Sequence, residues 1–366
     1  MTCPTDVKLN SSENARRSRI AGCILGGAVG DALGFDVEFS REERIFSRYG
    51  IQGIRTLEQA GDPALISDDT QMSLFNANAL IADIPAWEGY RLWLATQEGP
   101  RGIEEAKHPG CWIYDVSELH DTRAPGNTCL GSLRGGVPGR IDYPLNNSKG
   151  CGTVMRAAPC ALAYGLDLGD TGKAAGEVFD AACADGALTH SHPLGYLSSG
   201  AMALVIWYIL RVREDRDADL ADRVREAMAF FRGDDHGLKA LIEKALRLAK
   251  DEDITDLEGI HELGEGWTAE EALAIALFCA VRHQDDFGKA IRAAVNHSGD
   301  SDSTGAVCGN ILGAWLGEEA VKDAFDTDLL ELRDVIEIIS RDMFIKTEHG
   351  APDPGEDPEW DRKYRR

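Results

Sequence analysis

Apolar residues recur at helical spacing through most of the chain. The stretch 67–83 opens with a capping serine and two acids, then sets Met72, Phe75, Ala79 and Ala82 along one helical face. The same periodicity predicts helices over 150–164, 194–214, 219–231, 238–250, 268–282, 285–296, 302–316 and 329–340. Alternating strand patterns are nearly absent, and 99–150 reads as long loops rich in Gly, Pro and Asp. No low-complexity linker and no fixed-period repeat divides the chain. The pattern predicts a single compact all-α domain over 19–345, with a flexible polar arm over 1–18 and a tail over 346–366.

Glycine interrupts this pattern in two regular series. Gly22, Gly26, Gly30 and Gly34 fall four apart, and so do Gly305, Gly309, Gly313 and Gly317. Spacing by four lines one face of a helix, so each segment presents a stripe of bare backbone. An interior glycine costs a helix about 1 kcal/mol relative to alanine, and close approach of another helix or of a ligand is what offsets that cost. Neither segment carries the G-x-G-x-x-G that a dinucleotide fingerprint needs after a strand.

Charge narrows the partners. The 366 residues carry a formal net charge of −24, which repels nucleic acid and anionic membrane surfaces. The longest apolar run, 201–210, is well short of the ~20 residues of a spanning helix. The first twenty residues show no apolar core of a signal peptide. Nine cysteines without a C-x-x-C pair read as reduced thiols packed as small apolar groups, and the expected location is cytoplasmic.

Acidic clusters adjoin both glycine series. Asp31 lies within the first, and Glu38 follows it. The second is preceded by Asp300, Asp302, Ser303 and Thr304. A third cluster, Ser67, Asp68 and Asp69, opens its own helix, where plain capping is a sufficient account of it taken alone. Asp300-x-Asp302 imitates the start of an EF-hand loop, but the twelfth position is Ile311 where a bidentate glutamate is required, so that reading fails. Together the clusters offer carboxylate and hydroxyl oxygens, which suit Mg²⁺ or Mn²⁺ rather than zinc. Without a cation, carboxylates gathered this closely would repel one another and take up protons.

In order, GGAVGDALG, SDDTQM, GCGTVMRAAP, THSHPLGY and HSGDSDSTGAVCGNILGAWLG resemble the motifs of the ADP-ribosylglycohydrolase family, over about residues 18–342. The resemblance implies an all-α fold with two Mg²⁺, or Mn²⁺ in some members. It implies hydrolysis of the bond joining ADP-ribose to a protein side chain, arginine-linked before serine-linked in a bacterial member. It places the metal ligands on Ser67, Asp68, Asp69, Asp300, Asp302 and Ser303, with serine where many members have threonine. Glu38 matches a glutamate that reaches the metal centre, and Glu38 or Asp302 is the expected general base. The loop Ser148, Lys149, Gly150, Cys151, Gly152 and Thr153 matches a diphosphate cradle, Asn127 and Thr128 a further substrate-lining loop, and His190 a histidine beside the ADP-ribose. Arg156 is expected to brace the loop against an acid, and His297 to hydrogen-bond a ligand carboxylate.

Other classes stay open at this point. The resemblance extends to immunity proteins that bind and occlude an ADP-ribosyltransferase toxin, for which the arm over 1–18 would serve. It also extends to inactive structural relatives, and a conventional sugar hydrolase without metal is a third alternative.

Overall fold

The computed structural model describes residues 10–99, 110–164, 171–211 and 219–365. Among them the chain forms α-helices and short 3-10 turns, with isolated bridges but no strand. The first helices are α1 (Ser11–Phe35), α2 (Glu42–Tyr49), α3 (Leu57–Ala60), α4 (Asp68–Ile81) and α5 (Ala86–Glu98). Next come α6 (Asn127–Arg134), α7 (Ala158–Leu162), α8 (Thr171–Ala187), α9 (Pro193–Arg211), α10 (Leu220–Met228), α11 (Leu238–Ala249) and α12 (Asp256–His261). The chain closes with α13 (Ala269–Arg282), α14 (Phe287–Val295), α15 (Ser301–Leu316), α16 (Glu318–Ala324), α17 (Arg333–His349) and α18 (Pro358–Tyr364).

The two glycine series face each other. A Cβ added to Gly22 would lie 2.4 Å from the Gly313 carbonyl oxygen, one at Gly26 2.4 Å from that of Gly309, and one at Gly30 2.0 Å from that of Gly305. The order runs in opposite senses, so α1 and α15 are antiparallel with their backbones in direct contact. Asn310 fits against Gly27 and donates from Nδ2 to the Cys23 carbonyl at 2.8 Å. Of the two expected reasons for the bare stripes, helix packing is the one realised. Around this pair the core is filled by α13 and α9, whose aliphatic residues are almost wholly buried. Helix α9 is long and apolar enough to cross a bilayer, but 83% of its most apolar window is buried inside the protein. All eight described cysteines are unpaired, and seven are buried.

Several boundaries differ from the sequence expectation. Residues 11–18 are not an arm: Asn10 and Glu13 form a capping box that starts α1, and Arg16 pairs with Glu348 at 2.7 Å. Residues 1–9 lie outside the described residues. The expected tail is also folded, because α18 buries Trp360 and Tyr364, and Tyr364 donates to Asp342 at 2.8 Å. The helix expected over 150–164 is a 3-10 helix over Cys151–Arg156 followed by α7. Pro159 lacks an N–H and fits only a first helical turn, which forces the restart. Helices α2, α3, α5, α6, α8, α12 and α16 were not expected, and α6 lies within the stretch 99–150 read as loops.

Candidate active site

The antiparallel contact carries the end of α1 to the start of α15, where a Cβ on Gly34 would lie 2.3 Å from the Ser301 carbonyl oxygen. One turn earlier Asp31 is fully buried and reaches sideways to α4. Its carboxylate accepts N–H bonds from Ser67 and Thr70, each at 3.0 Å, and a short bond from the Thr70 hydroxyl. Asp31 therefore fastens the first turn of α4 beside the first turn of α15. Capping also operates within each turn: Ser67 Oγ accepts the Asp69 N–H at 3.2 Å, and Asp300 Oδ1 accepts that of Ser303 at 3.3 Å. The two positive helix ends thus point at one acidic centre.

One carboxylate oxygen from each of Glu38, Asp300 and Asp302 lies within 4.8 Å of the others. The charges of Asp68 and Asp69 interact with that of Asp302, so the clusters from the beginning, early middle and far end of the chain meet. Glu38 Oε2 and Asp69 Oδ1 are buried without a hydrogen-bond partner among the described residues. Burial, reinforced by the Asp302 charge, pushes the Asp31 carboxyl up to about 7 and that of Glu38 up to about 10. Asp68, Asp69 and Asp300 are raised well above the ordinary carboxylate range, again by burial first. Buried, mutually repelling oxygen donors fit a hard divalent cation, whose charge replaces the protons.

That arrangement has a pH signature. Carboxyls with raised folded values bind more protons folded than unfolded, so cation-free stability falls as pH rises from the ordinary ~4, through about 7 for Asp31, toward about 10 for Glu38. In chelator the melting temperature is expected to drop between about pH 5 and about pH 8, and Mg²⁺ is expected to restore it more at the higher pH. A melting temperature independent of pH in chelator would contradict the raised values.

The proposed substrate loops border this centre. Asp68 Oδ2 accepts the Gly126 N–H at 3.1 Å, and the Asp68 N–H donates to the Arg123 carbonyl at 3.0 Å. Exposed Asn127 and half-buried Thr128 follow, with Thr128 Oγ1 3.0 Å from Ser148 Oγ. Within the expected cradle, the Gly150 N–H donates to Ser148 Oγ at 3.3 Å and the Cys151 N–H to the Trp267 carbonyl at 3.2 Å. With the Ser148 N–H donating to Asn146 Oδ1 at 3.0 Å, at least three of its N–H groups are engaged by the protein itself. Thr153 is buried and donates to the Gly195 carbonyl at 2.7 Å, which gives it a structural task. His190 is buried too, with Nδ1 2.8 Å from Thr189 Oγ1, and its ring packs against Gly150 and Gly152. Burial, aided by the Arg156 charge, lowers His190 to about 3, so its imidazole is neutral. Arg156 braces the loop as expected: it stacks on Tyr90 at 4.1 Å, donates to Thr189 Oγ1 at 2.9 Å and pairs with Asp185 at 3.7 Å.

Other features were not legible in advance. His297 Nε2 lies 2.9 Å from the Thr304 hydroxyl, where a ligand carboxylate was the expected partner. Burial, reinforced by the charges of Asp300 and Asp69, raises the Cys151 thiol well above its ordinary value, which puts that thiol beside the acidic centre. The ring of Phe39, the residue after Glu38, stacks on Trp267 with centroids 5.5 Å apart.

The family model described as ADP-ribosylglycohydrolase matches residues 12–352. The chain belongs to the ADP-ribosylglycohydrolase family. Its relatives include the ADP-ribosyl-(dinitrogen reductase) glycohydrolase of Rhodospirillum rubrum, 27% identical over 316 residues that cover 83% of this chain and 87% of that protein. ADP-ribosylhydrolase ARH3 of Gallus gallus is 24% identical over 344 residues, covering 84% and 88%. A solved structure described as an ADP-ribosylglycohydrolase-related protein complex shares the fold, with a TM-score of 0.59, 21% identity, and coverage of 91% of this chain and 99% of that one. As an ADP-ribosylglycohydrolase, the chain is an enzyme of glycosidic-bond hydrolysis, and the acidic centre is its candidate site.

Proposed function

We propose that the protein removes ADP-ribose from modified protein side chains, arginine-linked before serine-linked, at a centre for two divalent cations, Mg²⁺ or Mn²⁺. The observation that carries this reading is the convergence of Glu38, Asp300 and Asp302 oxygens within 4.8 Å, facing Asp68 and Asp69, with two carboxylate oxygens left unpartnered among the described residues. Ser67, Asp68 and Asp69 on one side, and Asp300, Asp302 and Ser303 on the other, are the residues that would hold the cations. Bound there, the cations orient ribose hydroxyls and make water a stronger acid.

The remaining work falls to the chain. Glu38 Oε2 has no partner among the described residues. Freed of its own proton by the charge of bound cations, it takes one from the water that attacks the anomeric carbon, and the departing guanidine carries that proton away as the glycosidic bond breaks. Asp302 Oδ1, by contrast, already accepts the Ser303 N–H at 2.9 Å. Beyond Thr128 and Ser148 a groove of about 520 Å³, also lined by Val137, Tyr143 and Leu145, has the apolar and aromatic surface for the adenosine end. The higher identity to the bacterial relative than to ARH3 supports the arginine preference that the family resemblance gives to bacterial members.

Incubation with proteins carrying defined arginine- or serine-linked ADP-ribose tests the proposal. Release from the arginine linkage with Mg²⁺, abolished by chelator, is expected. Release from serine alone, or release indifferent to chelator, would refute the linkage or the metal assignment respectively.

A further inference from the structure

A second groove of about 450 Å³ begins beside the acidic centre, at Phe39 next to Glu38 and at Gly299 next to Asp300. Its wall is built in an unusual way. Phe39 is 70% exposed and holds φ 60, a left-handed conformation that a bulky side chain adopts only against steric resistance. Its ring is stacked on Trp267, itself 37% exposed, with the planes 21° apart. Trp267 is fixed from behind, since its carbonyl accepts the Cys151 N–H and its neighbour Gly266 lies against Thr304 and Asp300. Two large rings are thus held at the surface, at the edge of the reaction centre, rather than folded into the core that takes most other aromatics.

The charge around the rings has a sign. The lining includes the exposed carboxylates of Glu43 and Glu265, with Arg41 as the opposing charge. Glu42 accepts from His261 at 2.7 Å and from the Ser298 N–H at 3.2 Å. Aromatic faces attract cations through their quadrupole, and carboxylates at the rim add to that attraction. The wider molecule carries a net charge of −24, which excludes a polyanion from this surface.

We propose that this groove is the acceptor-side subsite: it receives the segment of the modified protein that flanks the ADP-ribosylated residue, and it selects a flank carrying a basic side chain over the Phe39–Trp267 rings. The assignment rests on the glycohydrolase reading above, yet it does not depend on which linkage is cleaved. It makes the two rings determinants of specificity, while the carboxylates beyond them perform the hydrolysis.

The test uses ADP-ribosylated peptides, made with arginine and with serine linkage, that are identical except for flanking arginine or flanking glutamate. The basic flank is expected to be favoured about fivefold in kcat/KM, chiefly through KM. Trp267→Leu is expected to bring that ratio close to one, and Phe39→Tyr to preserve it. A ratio near one in the native enzyme, or a ratio that survives Trp267→Leu, overturns the proposal. Which linkage is cleaved reports separately on the substrate assignment. If neither is cleaved, calorimetry with the unmodified peptides decides the matter: tighter binding of the basic peptide supports the subsite, and equal binding removes it.

Discussion

Asp302→Asn is expected to lower ADP-ribose release by about a thousandfold, equivalent to about 4 kcal/mol of transition-state stabilisation. Asp302 stands at the middle of the acidic centre, and its charge raises the carboxyls of Asp31, Glu38, Asp69 and Asp300. The amide keeps the shape and the side-chain oxygen but removes the negative charge that a divalent cation needs. It also relieves repulsion, so the cation-free variant is expected to melt no lower than the native protein. The combination is diagnostic. Activity collapses, Mg²⁺ loses most of its effect on the melting temperature, and the fold persists. Near-native turnover in this variant would show that the acids are structural, and the proposed chemistry would have to move elsewhere.

The second large effect concerns stability. Gly30→Ala places a methyl group 2.0 Å from the Gly305 carbonyl oxygen and 2.4 Å from its carbon, atoms of a backbone that has no rotamer to change. Helices α1 and α15 must separate, and the expected loss is about 3 kcal/mol in urea unfolding. Gly131→Ala on α6 provides the control, because no described atom lies within 4 Å of the added Cβ. There the higher helix propensity of alanine is expected to stabilise by up to about 1 kcal/mol. Equal effects at the two positions would show that the glycine contact contributes little. Separation at Gly30 also shifts the neighbouring Asp31 relative to Asp302, so weaker cation binding is expected to accompany the lost stability.

The acids themselves were legible in the sequence because each stands where local chemistry is unusual. Ser67, Asp68 and Asp69 open a helix, and Asp300 and Asp302 precede a run of glycines. The four-residue glycine spacing announced a helix face that must meet something, and α15 is what α1 meets. The bracing of Arg156 came from its place in the GCGTVMRAAP motif, and the acid it pairs with, Asp185, emerged only in the fold. What escaped were the pairings between distant positions. Asp31 looked like one more acid in a glycine-rich helix, and nothing local shows that it holds the N–H groups of Ser67 and Thr70. Phe39 and Trp267 carry no pattern at all until the chain has folded. Helix α8 was missed because its alanines and glycines give little contrast between faces, so periodicity fails there even though Val178, Phe179 and Ala182 are buried. The redirected hydrogen bond of His297 depends on the rotation of α15 about its axis, which spacing alone does not set.

The contact between Asn310 and Cys23 joins positions 287 residues apart. During synthesis at ~5–20 residues per second, the exposed stripe of α1 therefore waits roughly a quarter of a minute to a minute before its partner has been translated. Throughout that interval the nascent chain holds half of its reaction centre and an unsatisfied helix surface, a state suited to capture by chaperones and barren as an enzyme. Catalytic competence arrives late and all at once, when the last quarter of the polypeptide closes on the first.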